Sequence, residues 1–307
     1  MTTFVWDMSP HRYNLLMTWS MAKALQQKAQ DVYYIQHADA DFTLALVKQH
    51  LNCSVIYPDD FDWLRPDLVL LDCLLVERAP FYRERGIPYI FVAMQSPGRA
   101  TNLDADIPVL CLPPVPLPWT GKSSDRLSAL IERMTEPQQR GKDSFIVSLL
   151  EKGNCVTEEQ RKVYRCIRKV ASQHPDYRFL LWVERSEALS GLSVFPPNVE
   201  VYRQVQQDEV FPNCKVALTT DHPDAWLECT FAGLPFIPMS DKEAKQITPL
   251  KLEWKIAETL RNRDVYRNNE HEMCRYFEQE NQKLDIVADQ LIAMAERKKT
   301  ERKQETT

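Results

Sequence analysis

The residues best placed for chemistry lie in Val216–Met239, VALTTDHPDAWLECTFAGLPFIPM. An apolar run, read as a buried strand, closes on Thr219-Thr220. Pro223 suits the first position of a helix, because its missing N–H is not needed there. Gly233 and Pro235 stop that helix. A helix N-terminus is therefore predicted just past a strand end, where free N–H groups and the helix dipole favour a phosphate or another anion. Glu228 falls one turn beyond Asp224 on the same face, and its carboxylate can accept hydrogen bonds from two sugar hydroxyls. Every strand–helix–strand unit shares this grammar, so spacing alone leaves Glu228 either a ligand or a surface carboxylate.

Other chemistries lack their residues. No GxGxxG or GxxxxGK[ST] loop occurs, and only seven glycines stand against twenty prolines. The dinucleotide and P-loop signatures are thus absent. The eight cysteines are scattered and form no CxxC pair, so zinc has no ligand set. Reduced, mostly buried thiols in a cytoplasmic protein are expected. Net charge is −5, which argues against nucleic acid as a partner. Apolar runs are short and interrupted by charge, as at Asp72, so no membrane span is expected. Thr3–Trp6 is too short, and lacks the basic lead, for a signal peptide. The basic stretch Arg297–Lys303 reads as a solvated, frayed helix end.

The elements that must position these residues follow from hydrophobic pattern. Strands are predicted at Thr3–Trp6, Asp31–Ile35, Ser54–Tyr57, Asp67–Leu71 and Tyr89–Ala93, with helices at Leu15–Gln27, Phe42–His50 and Glu77–Arg85 between them. Gly86 caps the last of these. Four prolines within Pro113–Pro118 mark a linker. After a helix at Ser123–Met134 the pattern restarts. Strands are expected at Ser144–Leu149, Phe179–Trp182, Val199–Tyr202, Val216–Thr219 and Phe236–Met239, with helices at Glu158–Gln173 and Pro223–Ala232. Gln206–Glu209 reads as a polar turn. Two helices close the chain, about Lys251–Leu260 and Asn269–Glu296. The alternation predicts two doubly wound α/β domains with parallel sheets, and ligands beyond the carboxyl ends of the strands, in a cleft between the domains.

Taken in order, these pieces resemble the inverting UDP-sugar glycosyltransferases of the GT-B fold. That family's donor box reads approximately W-x-P-Q-x-x-x-L, H-x-G-x-N-S/T-x-x-E, then G-x-P. Gln206–Phe211 fits the lead-in with Gln207 at the Gln, Glu228 falls at the Glu that holds the ribose, and Ala232–Pro235 matches the end. Asp241 lies near the acidic position for sugar hydroxyls. Leu260, Asp264 and Tyr266-Arg267 resemble the closing helices. In the first half, Pro10-His11 resembles the Gly-His start, Arg65–Asp72 the P-D-x-V-x-x-D strand, and Arg85–Pro88 the G-I-P segment.

The resemblance implies a GT-B-like architecture: an acceptor-side domain at 1–118, a donor domain at 119–285, and a closing helix over 286–307 that returns to the first domain and ends in the frayed tail. It implies His11 as general base, Asp72 as the carboxylate that orients it, and a donor site of Gln207, Thr219, Thr220, His222, Glu228, Asp241 and Ser148. A nucleotide sugar, a UDP-sugar by the family, would be co-substrate with an unidentified acceptor, and neither metal nor cofactor is implied.

The departures lie at the diphosphate. The family His falls on Thr220, the small positions on Asp221 and His222, the Asn on Asp224 and the Ser/Thr on Ala225. The Gly-Ser loop after the donor domain's first strand is replaced by Ser148-Leu149-Leu150-Glu151. Carboxylates at 221 and 224 oppose a diphosphate. Two readings therefore stand, an active transferase and a degenerate relative that binds or scaffolds. A sugar-nucleotide epimerase of the same fold is a third, but its carboxylate and basic residues find no place here.

Overall fold

A computed structural model describes residues 1–8, 12–35, 51, 53–57, 61–94, 108–115, 125–135, 144–150, 157–183, 189, 194–203, 207–221 and 223–305; of these, the side chains of 12–16, 62, 125–127, 207–208, 223–224 and 305 lie outside the description. The helix expected at Phe42–His50 lies outside it too. The chain divides into two units, Met1–Leu117 with Tyr276–Thr307, and Pro118–Arg275.

In the first unit six parallel strands form one sheet: β1 Thr3–Asp7, β2 Asp31–Ile35, β3 Ser54–Ile56, β4 Leu68–Asp72, β5 Tyr89–Met94 and β6 Val109–Leu112, in the order β3-β2-β1-β4-β5-β6. Strand order reverses between β1 and β4, which pair from Phe4↔Leu68 to Asp7↔Leu71. Both faces are covered, so these strands are apolar throughout rather than alternating. On one face Phe4, Trp6, Leu68 and Leu70 pack with Met17, Met21 and Leu25 of the helix Arg12–Gln27. Val5, Val69 and Leu71 point the other way, toward Phe61, Ala79 and Tyr82. β6 was not legible in the pattern, because its four residues run straight into the proline-rich segment.

The expected helix over Asn269–Glu296 is two helices, Arg263–Asn281 and Leu284–Glu305. Neither glycine nor proline marks the break. Instead the Asn281 amide donates to the Phe277 carbonyl at 2.9 Å and the Pro114 carbonyl at 3.5 Å, tying the helix end to the sheet side. Leu284, Ala288, Leu291, Met294 and Ala295 join the core of the first unit, whereas Ile286 is 64% exposed.

The basic tail is not a solvated, frayed end. Lys299 Nζ meets Asp67 Oδ2 at 3.0 Å, and Arg302 donates to the Pro66 and Asp67 carbonyls at 3.2 and 3.1 Å. Asp67 Oδ2 also accepts the Thr3 amide at 2.9 Å, so one carboxylate fastens the tail to β1 and β4 together. Replacing Lys299 and Arg302 together by Met should lower stability by about 1–2 kcal/mol, read as a lower urea midpoint at constant m-value.

The second unit repeats the plan with β7 Ser144–Leu149, β8 Tyr177–Trp182, β9 Val199–Tyr202, β10 Val216–Thr219 and β11 Phe236–Pro238, all parallel in the order β11-β10-β7-β8-β9. The reversal falls between β7 and β10. The helix Glu158–Gln173 starts in a capping box: Thr157 Oγ1 accepts the Gln160 amide at 3.2 Å and the Gln160 side chain accepts the Thr157 amide at 2.9 Å. Gln160 also donates to the Leu150 carbonyl at 2.6 Å, anchoring that helix to the end of β7. The expected polar turn after β9 is instead a helical turn, Gln207–Val210, continued as a 3-10 turn at Phe211–Asn213 because Val210 and Phe211 bury themselves. Gly86 and Gly233 adopt φ of +62° and +60°, the left-handed conformation expected of helix ends. The seven described cysteines carry no disulfide, and burial pushes the Cys53 thiol up to about 12. Among the described residues no helix is long and apolar enough to cross a membrane.

Candidate functional site

In doubly wound sheets the crevice beyond the carboxyl ends of the strands, where the order reverses, is the place for a ligand. Each unit has one such point. In the second it lies past β7 and β10. The helix Pro223–Phe231 follows β10 directly, so its N-terminus stands at that edge. Gly233 ends it, and a Cβ there would lie 2.5 Å from His271 Nε2, a second reason for glycine.

Thr219 and Ser148 flank the point on neighbouring strands, in the register Leu218↔Ser148 and Thr219↔Leu149. Both side chains are fully buried, and neither hydroxyl has a hydrogen-bond partner. They do not converge. Thr219 shares the face of Ala217, on which Cys229 of the helix Pro223–Phe231 packs. Ser148 shares the opposite face of Ile146 and Leu218, beneath the helix Glu158–Gln173. Thr220 is buried and its amide extends the ladder to the Leu149 carbonyl at 3.2 Å.

Glu228 is half-buried in the second turn of the helix Pro223–Phe231. The adjacent end of that helix is acidic: Thr230 donates to Glu270 at 2.6 Å, and burial pushes the Glu270 carboxyl up. Asp241 is exposed at the start of the helix Asp241–Gln246, three residues past β11 and behind the Ser240 cap. Asp221 is exposed just before the helix Pro223–Phe231. Gln207 follows the edge strand β9, away from the reversal. Its side chain, that of Asp224 and the whole of His222 lie outside the described residues.

In the first unit the reversal brings two carboxylates to adjacent strand ends. Asp72 closes β4, is 1% exposed, and accepts the Leu74 amide on Oδ1 at 2.9 Å, capping the 3-10 turn Cys73–Arg78. Alternation places it on the Leu68–Leu70 face, which carries the helix Arg12–Gln27. His11 immediately precedes that helix and lies outside the described residues. Asp7 closes β1 on the other face, fully buried, with Arg78 Nε at 3.2 Å from Oδ2 and the Tyr82 hydroxyl donating to the same oxygen. This trio escaped the reading of the sequence, since nothing local joins Asp7 to residues more than seventy positions away. The only hint was a carboxylate ending an otherwise apolar strand.

Among the described residues no group of three or more His, Cys, Asp or Glu gathers as metal ligands would. No protein-family model matches the sequence, and no curated protein matches it. Solved structures do match. The glycotransferase of kitacinnamycin superposes with a TM-score of 0.64 at 16% identity, over 95% of this chain and 99% of that one. Glycosyltransferase VinC, solved in complex with dTDP, gives 0.64 at 12% identity, over 96% and 99%. The MnaA–UDP co-structure from S. aureus gives 0.60 at 11% identity, over 88% and 91%. The chain has a GT-B-like fold. At these identities the likeness is one of architecture, and the chemistry must be argued from the residues at the two strand reversals.

Proposed function

We propose that the chain is a glycosyltransferase, moving a sugar from a nucleoside diphosphate sugar to an acceptor hydroxyl. The observation that carries this is the helix Pro223–Phe231, which opens at the strand reversal of the second unit. Its N-terminal amides and dipole suit the diphosphate, and Glu228, one turn further on, suits the ribose hydroxyls. The architectural likeness to structures that hold dTDP and UDP supports a UDP- or dTDP-sugar as co-substrate. Thr219 and Thr220 would line the phosphate end, with Asp241 toward the sugar and Gln207 and His222 completing the donor set, while Ser148 lies on the other face of the sheet and drops out of it.

In this reading His11 takes the proton of the acceptor hydroxyl. The acceptor oxygen bonds to the anomeric carbon as the bond to the diphosphate oxygen breaks, with inversion. The leaving charge falls on the helix amides. The scheme asks for neither cofactor nor metal, and such an enzyme would work in the cytoplasm on nucleotide sugars made there.

Thermal shift and titration with UDP, dTDP and GDP test it. A ligand at a hundredfold its Kd should stabilise by about 2.7 kcal/mol. Glu228→Ala should weaken that binding, and Asp221→Asn with Asp224→Asn should strengthen it by removing like charge. Binding without transfer to any acceptor or water would mark a degenerate, binding-only protein. No binding to the wild type or to the double variant would leave the fold alone.

A further inference from the structure

We propose that the second unit carries another anion site, at the amino edge of its sheet, which takes a small phosphate monoester. A pocket of about 350 Å³ opens there, lined by Ser144, Lys215, Leu260, Arg261, Arg263 and Asp264. Ser144 begins β7 and Lys215 immediately precedes β10. The pocket is thus at the opposite end of the strands from Thr219, about 13 Å away along β10.

Three cations face this space against one carboxylate, in a chain whose net charge is −5. None of the three belongs to an ion pair among the described residues. Lys215 Nζ meets only Ser144 Oγ, at 3.4 Å, and Arg263 reaches only the Cys214 carbonyl, at 3.5 Å. Arg263 Nε is buried with no hydrogen-bond partner. Other cations of the chain do form ion pairs, as in Lys255–Glu243 and Arg133–Glu200 at 2.9 and 3.0 Å.

Local helix electrostatics explains only part of the cluster. Arg261 in the last turn of the helix Pro249–Arg261, and Asp264 in the first turn of the helix Arg263–Asn281, each complement a dipole. Arg263 does the reverse: it sets a cation at a helix N-terminus. Lys215 sits on no helix. Arg263, set at a helix N-terminus with an orphaned buried N–H, and Lys215, beside it and outside any ion pair among the described residues, fit a site that waits for an anion.

Phosphate suits these groups. A guanidinium presents paired N–H donors to two phosphate oxygens, and Lys adds a compact charge. Ser144 can donate a third hydrogen bond. Asp264 would repel a bare polyphosphate but can accept from a hydroxyl beside the phosphate, and Leu260 gives the carbon skeleton an apolar wall. The ligand class is therefore a hydroxylated phosphate monoester.

Calorimetric titration of the intact chain with glycerol 3-phosphate and with inorganic phosphate, at matched low ionic strength, tests this. We expect saturable one-to-one binding, tighter for glycerol 3-phosphate, that survives excess UDP. Lys215→Gln with Arg261→Gln, both reachable by solvent and so compatible with folding, should weaken it by at least about tenfold. Lys298→Gln, an exposed cation elsewhere, should leave it unchanged. Absence of binding to the wild type overturns the proposal. So does equal binding by the double variant, or displacement by UDP, since either places the anion at another site. These outcomes do not depend on whether the chain transfers a sugar.

Discussion

Arg78→Met should destabilise the first unit by about 3 kcal/mol, among the largest effects of any single change outside the apolar core. Asp7 is fully buried at the end of β1, where an uncompensated carboxylate is strongly disfavoured. Arg78 Nε lies 3.2 Å from its Oδ2, and Tyr82 donates to the same atom. Burial pushes the Tyr82 phenol up, so it stays protonated and remains a donor. Tyr82→Phe removes one neutral donor and should cost less, about 1–2 kcal/mol. Adding Asp7→Asn to Arg78→Met should recover part of the loss, because a buried amide is less costly than a buried charge without its cation. Asp7→Asn alone closes a double-mutant cycle with Arg78→Met and the double variant, readable by urea denaturation. If Arg78→Met costs no more than a surface substitution, the ion pair does not hold the turn after β4 to the sheet.

Where one stretch of chain carries both the pattern and its cause, the sequence was legible. Ser144–Leu149 and Val216–Thr219 stand where expected, because buried parallel strands read as largely apolar runs. Glu158–Gln173 is bounded by a local capping box, and Gly86 and Gly233 by their own freedom at positive φ. Failures occurred where the cause lies far off in sequence. The break at Asn281 depends on a carbonyl at Pro114, and the ordered tail on Asp67, 232 residues from Lys299. At the donor edge, the family resemblance placed Ser148 and Thr219 in one donor site. Only the pairing register shows that their hydroxyls face opposite sides of the sheet, so a ligand at the helix Pro223–Phe231 meets Thr219 and not Ser148.

In a transfer assay His11→Ala should lower kcat by about 10²–10⁴-fold while the chain stays folded. Asp72 ends β4 beside β1, and alternation turns it to the face that receives the helix Arg12–Gln27. That helix begins one residue after His11 in the sequence, and its Met17, Met21 and Leu25 pack on the face that carries Asp72. The Leu74 amide at 2.9 Å fixes one carboxylate oxygen, which makes Asp72 a rigid orienter rather than a mobile surface acid. Asp72→Asn keeps an acceptor for that cap but cannot stabilise an imidazolium. It should therefore lower kcat, shift the acidic limb of the pH–rate profile to lower pH, and leave donor KM little changed. The direction of the shift follows from the sign: a carboxylate raises the pKa of a neighbouring imidazole, so removing it lowers that pKa and the limb moves to lower pH if His11 acts unprotonated in the free enzyme. A fall in kcat with the limb moving downward thus assigns the dyad, and an unmoved limb assigns Asp72 to the cap alone. Retention of full activity in His11→Ala would place the base on another residue at the same strand reversal.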